Sequence, residues 1–170
     1  MASPVLVAAQ CAVQAGDLAA NLALHLNFMR HASELGAGLI IFPELSLSGY
    51  EPALADTLAQ PADSPLLEPL CSLTMAAGMT TVVGLPLRVP GYDRPQIAAC
   101  ILHPDGSRAI YTKQYLHAGE ERFFSAGQGG ELLLVGGMSV ALSVCAEFAH
   151  AEHPAKAAER GAQVYAASVL

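Results

Sequence analysis

Cys145 follows a strand-like run of residues, a position at which a cysteine can act as a nucleophile. It directly follows the apolar run 140–144, and a helix-like segment begins a few residues later. A thiol at such a strand-to-helix turn is lifted out of the sheet towards helix N–H groups, which lower its pKa and favour the nucleophilic thiolate. The alternative is a buried structural thiol, the usual setting of a free cysteine. Cys11, Cys71 and Cys100 have no comparable turn beside them and are predicted to be packing residues.

A carboxylate and an ammonium group also stand at the ends of strand-like runs. Glu44 follows the apolar residues 39–43, at the carboxyl end of a predicted strand, where α/β sheets place their ligands. The apolar surroundings would raise the pKa of this carboxyl, which suits a general base. Lys113 ends the run 107–112 and could stabilise a developing oxyanion. Taken alone, each residue would more often be a solvated charge.

The elements that must position these residues alternate between strands and helices. The predicted strands are 5–10, 38–42, 80–85, 97–102, 107–111, 132–135, 139–144 and 164–168, of which the first is expected to be buried. The predicted helices run from the Asp17 cap to Gly36, from the Ser64-Pro65 cap to about Gly78, and over 154–160. Alternation of this kind, interrupted by hairpins, indicates a mixed α/β layered fold.

Composition narrows the classes of function. The 170 residues fit one domain, and 8 Lys+Arg against 15 Asp+Glu give a formal net charge of −7, which argues against nucleic-acid binding. No apolar stretch reaches the roughly 20 residues of a membrane span, and no signal peptide is evident, so a cytoplasmic protein without membrane contact is expected. A composition that is 53% hydrophobic, with an open sheet edge, predicts a homodimer or higher homo-oligomer.

Three segments around the candidate residues resemble the signature blocks of the nitrilase, or carbon–nitrogen hydrolase, superfamily. They are Phe-Pro-Glu-Leu-Ser-Leu-Ser-Gly-Tyr around Glu44, Tyr-Thr-Lys-Gln-Tyr-Leu around Lys113, and Cys-Ala-Glu-Phe beginning at Cys145. The blocks occur in the family's order and at similar separations, and the resemblance extends from the first strand to the last. It implies an α/β fold, namely the four-layer αββα sandwich of the nitrilase type, or only the N-terminal part of that sandwich.

The last residues of the sequence indicate how much of the implied domain it contains. The residues 168–170 are apolar and have no polar tail, as if a core strand were interrupted. We therefore expect residues 1–170 to form a single carbon–nitrogen hydrolase domain that lacks its C-terminal portion. Residues 117–130 and 154–160 are the expected elements of a dimer interface, the latter because members of the family that this chain resembles pair near the helix that follows the nucleophile.

A fourth segment resembles the acidic-aromatic-glycine loop that follows the lysine in this family. It reads Glu-Glu-Arg-Phe-Phe-Ser-Ala-Gly and begins at Glu120. The family's second glutamate, which orients the lysine and the substrate, aligns with Glu120 when the aromatic pair and the glycine serve as anchors. Glu121 is the alternative if the loop is shifted by one residue, and a solvated glutamate pair is the alternative to both. In a polar loop beside Arg122, Glu120 is expected to remain ionised.

The resemblance implies a cysteine-dependent enzyme that hydrolyses a non-peptide carbon–nitrogen bond of a small molecule through a thioester. The substrate would be an amide, alternatively a nitrile or a carbamoyl compound, and no cofactor or metal is implied. Glu44 would take the proton of Cys145, Lys113 and a backbone N–H near Ala146 would hold the oxyanion, and Glu120 would position Lys113 or the leaving group. The rival interpretation is a shortened, non-catalytic or regulatory relative that acts as a binding or dimerisation module.

The segment after the nucleophile departs from the family's usual pattern. Many members carry an aromatic residue and an acid, then an arginine, whereas here Ala146 and Glu147 are followed by Phe148 and by His150 and His153. This departure concerns the identity of the substrate more than the reaction. The two histidines are one helical turn apart and could bind zinc, but no third ligand stands at a useful spacing. We expect them to be helix-surface or interface residues.

Overall fold

The structure is a computed structural model that describes residues 3–170. The strands are β1 (Val5–Ala8), β2 (Ala37–Ile41), β3 (Thr80–Leu87), β4 (Gln96–Leu102), β5 (Arg108–Thr112), β6 (Leu133–Val135), β7 (Met138–Val144) and β8 (Val164–Ser168). The α-helices are α1 (Leu18–Glu34), α2 (Ala55–Leu58), α3 (Glu68–Ala77) and α4 (Glu152–Glu159). Short 3-10 helices are Pro52–Leu54, Pro65–Leu67, Glu120–Arg122 and Cys145–Ala149.

The strands form two sheets that lie face to face. The first sheet has the order β1-β2-β3-β4-β5, in which β1, β2 and β3 are parallel and β3, β4 and β5 antiparallel. The second sheet has the order β6-β7-β8, with β7 and β8 parallel. Apolar residues of both sheets, among them Val82, Ile97, Val140 and Leu142, form one buried cluster. This cluster is the interior of the sandwich.

Helices cover the outer faces of both sheets. Met29 of α1 and Leu70 of α3 pack with Ile40 and Val83 in a second buried cluster on the outer side of the first sheet. On the second sheet, α4 lies against β8 through the contact of His153 with Tyr165. The order of layers is therefore helix, sheet, sheet, helix, as the sequence predicts.

Most predicted elements are found close to their predicted positions. Asp17 caps α1 by accepting a hydrogen bond from the Ala20 N–H, and strand β8 has the predicted bounds. Helix α4 begins at Glu152 instead of residue 154, because a proline in the first turn of a helix removes only an N–H that has no partner in the helix. None of the helices within residues 3–170 is long and apolar enough to cross a bilayer.

The prediction that the first strand is buried is wrong for this structure. Val5 is 44% exposed and Leu6 is 38% exposed. Strand β1 is at the edge of its sheet and pairs only with β2, so one of its edges is open. It borders a largely apolar cleft of about 860 Å³ whose other wall is formed by β8 and residues 169–170.

Candidate active site

Glu44 lies in a tight turn that crosses strand β3. Leu45 in this turn has a φ of 50°, a left-handed conformation that few residues with a side chain adopt. Gly84 of β3 lies directly beneath the turn. A Cβ atom at position 84 would lie 2.4 Å from the Leu45 nitrogen and 2.5 Å from the Pro43 carbonyl oxygen, so only glycine permits this approach. The backbone thereby brings the Glu44 carboxylate into the interior, and the residue as a whole is 2% exposed.

Helix α1 supports the same turn through a chain of buried polar groups. His25 Nδ1 lies 2.6 Å from the Asn21 carbonyl oxygen, which can only accept, so Nδ1 carries the proton. His25 Nε2 then accepts from the Ser46 hydroxyl at 2.9 Å, while Ser46 Oγ accepts from the Gly84 N–H at 3.2 Å. Burial lowers the pKa of His25 to about 4, which keeps the ring neutral.

Lys113 is fully buried and lies between two carboxylates. Its Nζ donates to Glu44 Oε1 at 2.6 Å and to Glu120 Oε1 at 3.0 Å. Burial lowers the pKa of this ammonium group, but Glu44 and Glu120 outweigh it and leave the pKa above its ordinary value. Lys113 therefore remains charged in the interior.

Of the two glutamates in this segment, Glu120 and not Glu121 lies beside Lys113. Glu120 is 3% exposed and also accepts hydrogen bonds from the Tyr50 hydroxyl at 3.0 Å and the His117 N–H at 2.8 Å. Glu121 is exposed and accepts from the Gly119 N–H. Glu120 lies beside Lys113, as expected, but its side chain is buried and does not lie in a polar loop, because the 3-10 turn Glu120–Arg122 directs it inwards.

Cys145 is half-buried at the start of a 3-10 helix and has a φ of 46°, again left-handed. The Glu44 carboxylate, the Lys113 ammonium and the Ala146 N–H are the polar groups that act on its thiol. Burial and the adjacent Glu44 raise the pKa of the thiol, although Lys113 opposes them. The Ala146 N–H lowers the pKa of the thiol, as predicted, but burial and the Glu44 carboxylate outweigh it, so the predicted net lowering of this pKa is wrong.

The four candidate residues consequently form one buried cluster around a shared acid. Burial raises the pKa of Glu44, as the sequence predicts, while the ammonium of Lys113 opposes this effect. Glu44 is hydrogen-bonded to Lys113 and acts on the Cys145 thiol, so one carboxylate can exchange a proton with the thiol while the ammonium stays in place. A protonated thiol beside a carboxylate is the starting arrangement for nucleophilic catalysis that begins with proton transfer.

The two histidines after the nucleophile have different positions. His150 is half-buried and its ring stacks on that of Tyr115, with centroids 4.3 Å apart. His153 is 8% exposed, and its two ring nitrogens face the hydroxyls of Tyr111 and Tyr165. The expectation of a helix-surface residue is therefore wrong for His153, because this side of α4 packs on the sheet. Among residues 3–170, no three His, Cys, Asp or Glu side chains are grouped so that they could hold a metal ion.

The sequence interpretation left two contacting residues without a role. Tyr50 donates to Glu120, although it was only the last residue of the block around Glu44. Glu147 is completely buried and accepts hydrogen bonds from the segments on both sides of the site. An acid two residues after the nucleophile was the available signal for Glu147, but nothing in a sequence states which donors surround a carboxylate.

Comparison with known proteins assigns the chain to a family. Residues 6–169 match the carbon–nitrogen hydrolase family, and the chain therefore belongs to it. An amidase from Nesterenkonia sp. has the same fold, with a TM-score of 0.84 and 28% identity, over 96% of this chain and 64% of that one. A variant of the amidase from Nesterenkonia sp. AN1, with a TM-score of 0.85, 28% identity and the same coverage, shows covalent addition of the acetamide moiety of fluoroacetamide at its active-site cysteine.

Two curated relatives of this chain are much longer than the segment that it matches. A Mycobacterium tuberculosis hydrolase is 30% identical over 88% of this chain, and the match covers 55% of the hydrolase. A glutamine-dependent NAD(+) synthetase of M. tuberculosis is 33% identical over 82% of this chain and is covered over 21% of its length. The chain thus spans about half of the first protein and about a fifth of the second. The fold is that of the nitrilase-superfamily amidases, represented here by part of their domain.

Proposed function

We propose that this chain carries the catalytic residues of a cysteine-dependent hydrolase that cleaves a small-molecule amide through a thioester intermediate. Nitriles and carbamoyl compounds are the alternative substrates. The observation that supports this most directly is the position of Glu44, which is hydrogen-bonded to the Lys113 ammonium at 2.6 Å and is the acid that acts on the Cys145 thiol. The proposed roles follow from the chemistry of these three groups.

In the acylation step, Glu44 takes the thiol proton and the Cys145 sulfur attacks the amide carbon. The oxygen of the tetrahedral intermediate becomes negatively charged. Lys113 and the Ala146 N–H are the donors available to hold it, since one is a buried ammonium and the other already faces the sulfur. Glu120 helps to keep the Lys113 ammonium in place through a second hydrogen bond beside that to Glu44.

In the second half of the reaction, Glu44 returns the proton to the leaving nitrogen, and ammonia or an amine departs. A water molecule then gives a proton to Glu44 and attacks the thioester carbon, and the sulfur leaves with the proton restored. The products are a carboxylic acid and the regenerated thiol. One carboxylate serves both halves, which suits a group that burial holds at a raised pKa beside a fixed ammonium.

The comparisons support this reaction class and leave the substrate open. The Nesterenkonia amidase with a covalently modified cysteine is 28% identical to this chain, and another of its variants is described in complex with butyramide. Short aliphatic amides are therefore the first substrates to examine. The relatives that are NAD(+) synthetases are covered over only 21% to 27% of their length and support nothing more specific.

Two further proposals concern the whole protein. We propose that residues 1–170 form one carbon–nitrogen hydrolase domain without its C-terminal portion; the 64% coverage of the amidase and the open cleft between β1 and β8 support this. We also propose a homodimer, with residues 117–130 and α4 at its interface. The exposure of Phe148, 53%, on the turn before α4 supports an interface there.

The test uses the protein encoded by the complete reading frame. Ammonia release from acetamide, propionamide and butyramide is measured for the wild type, for Cys145→Ala and for Cys11→Ala. Activity in the wild type and in Cys11→Ala, with none in Cys145→Ala, is the expected result. Activity that survives in Cys145→Ala would contradict the proposed mechanism. No ammonia release and no acyl adduct from any amide, nitrile or carbamoyl compound would favour the non-catalytic alternative.

A further inference from the structure

Glu147 joins the two segments that carry the nucleophile and the lysine. Its side chain is 0% exposed. Oε2 accepts from the Val144 N–H at 2.7 Å, and Oε1 accepts from the Gln114 N–H at 2.6 Å. Val144 directly precedes Cys145, and Gln114 directly follows Lys113. One carboxylate is therefore hydrogen-bonded to the immediate neighbours of two site residues.

The two segments belong to different sheets, which makes this connection significant. Lys113 follows β5 of the first sheet, and Cys145 follows β7 of the second. Within residues 3–170, no strand pairing joins the sheets, so no backbone ladder fixes the distance between these two residues. Side-chain packing alone tolerates small shifts, whereas three directional hydrogen bonds to one carboxylate define the relative position of both segments.

The third hydrogen bond fixes a network behind the carboxylate. The Tyr111 hydroxyl donates to Glu147 Oε2 at 2.7 Å, which uses its only proton. His153 Nε2 lies 2.8 Å from the Tyr111 hydroxyl oxygen and must therefore donate to it. His153 Nδ1 then accepts from the Tyr165 hydroxyl at 2.7 Å. This series of hydrogen bonds ends at Tyr165, which belongs to strand β8 of the second sheet. Tyr111 belongs to β5, so the network crosses between the sheets a second time.

The conformation of Cys145 gives a reason for such support. Its φ of 46° is costly for a residue with a Cβ, and a strained conformation persists only where surrounding contacts hold it. The hydrogen bond from the Val144 N–H to Glu147 closes the turn at this point. A buried carboxylate needs such donors, and an apolar side chain would fill the same volume without them.

We propose that Glu147 is a positioning residue that sets the distance between the Cys145 sulfur and the Lys113 ammonium. This inference rests on the proposed function, because it assigns Glu147 to the same reaction. Glu147 touches none of the four residues with proposed chemical roles through its carboxylate, and it acts through the backbone next to two of them. The contribution of Glu147 should therefore appear in the rate of bond making at the sulfur more than in substrate binding.

The first variant for the test is Glu147→Gln in the complete protein. An amide has nearly the same shape but turns an NH₂ group towards one of the N–H or O–H donors, which pushes one segment away. Since a displacement of about 1 Å can cost about a hundredfold in rate, kcat should fall by that order while KM changes by less than about threefold. The rate of Cys145 alkylation by iodoacetamide, followed from pH 6 to 10, should fall and its pH profile should shift.

Two further variants keep the test decisive. Tyr111→Phe removes one donor and leaves both backbone N–H groups, so a loss of kcat of about tenfold or less is expected, with a shift of the alkylation profile in the same direction. Glu34→Gln changes an exposed glutamate at the end of α1 and should leave both measurements unchanged. If Glu147→Gln does not fold, Tyr111→Phe carries the test.

The outcomes separate this inference from the proposed function. A folded Glu147→Gln protein with the wild-type kcat and alkylation profile would overturn the positioning role. So would a lower melting temperature with an unchanged profile, since that describes a structural contact only. If the wild type hydrolyses no amide, the proposed function fails, but iodoacetamide needs no turnover and its reaction with Cys145 still reports the position of the thiol. An unchanged profile in the variant that carries the test refutes the inference in either case.

Discussion

The Lys113 ammonium lies 2.6 Å from Glu44 Oε1, and neither side chain is more than 1% exposed. Burial removes the hydration of both charges. Their attraction and the hydrogen bonds from neighbouring groups must therefore compensate for this loss. Glu120 on the other side of the ammonium, at 2.9 Å, leaves one positive charge between two carboxylates. The position of Lys113 is therefore fixed before any substrate arrives, which is the condition for effective stabilisation of an oxyanion.

Replacement of Lys113 by arginine should reduce activity strongly. Lys113→Arg keeps the charge but needs space for a planar guanidinium between two carboxylates that already contact the amine. We expect kcat/KM to fall by at least about a hundredfold, comparable to the loss of an oxyanion donor. Lys156→Arg, at an exposed site on α4, is the matched control and should behave as the wild type. A Lys113→Arg protein with nearly normal kcat/KM would contradict the role of Lys113.

Glu44 and Glu120 should fail at different steps. Glu44→Gln cannot accept the thiol proton, so no thioester should form, whereas Glu120→Gln keeps a hydrogen-bonding side chain next to Lys113 and should permit slow acylation. Intact-mass measurement after incubation with butyramide, which carries no alkylating group, distinguishes the two. Equal amounts of acyl adduct in both variants, or an adduct in Glu44→Gln alone, would refute this division of roles.

Acid should destabilise the protein through His25. Its pKa is about 4 in the folded protein and near 6.5 when unfolded, so between these values the unfolded chain binds the additional proton. The stabilisation is complete above pH 6.5 and is lost as the pH falls towards 4, by about 3 kcal/mol in total. Urea unfolding from pH 4 to pH 7.5 measures it.

Two variants show whether His25 is the titrating group. His25→Gln should be less stable at pH 7.5 and should lose most of the dependence on pH between 4 and 6.5. His31→Gln, at an exposed position of the same helix, should retain the wild-type dependence. Parallel pH curves for all three proteins would show that another group is responsible.

Gly84→Ala should damage the turn that carries Glu44. The added Cβ would lie 2.4 Å from a backbone nitrogen, which cannot move without displacing Glu44. We expect a loss of at least about 3 kcal/mol in the free energy of unfolding, together with most of the activity. Gly36→Ala is a useful comparison, because position 36 has a φ of 68° but open space, and only about 1 to 2 kcal/mol should be lost there. Equal losses in the two variants would contradict the steric explanation.

The sequence predicts well what depends on neighbouring residues. The hairpin that ends at Thr112, the glycine that ends α3 and the bounds of β8 follow from local turn and capping preferences. The shift in the pKa of Cys145 could not be predicted in the same way, because the nearest charged groups come from Glu44 and Lys113, far away in the chain.

Burial was the other property that local sequence did not determine. Glu120 is followed by the charged residues Glu121 and Arg122, and its contacts with Lys113 and Tyr50 from other elements make it an interior residue. Strand β1 is apolar, but its position at a sheet edge exposes it. In both cases the arrangement of distant elements decides whether the side chain is exposed, and that arrangement is not encoded in any short window of sequence.

The formation of an acyl-enzyme at Cys145 is the most direct test of the proposed mechanism. The complete protein is mixed with butyramide, the reaction is stopped in acid during turnover, and peptide mass spectrometry locates the acyl group among the four cysteines. The account predicts a butyryl thioester on Cys145, in the wild type and in decreased amount in Glu120→Gln, with Cys11, Cys71 and Cys100 unmodified. Ammonia release without any acyl group on Cys145, or an acyl group on another cysteine, would contradict it.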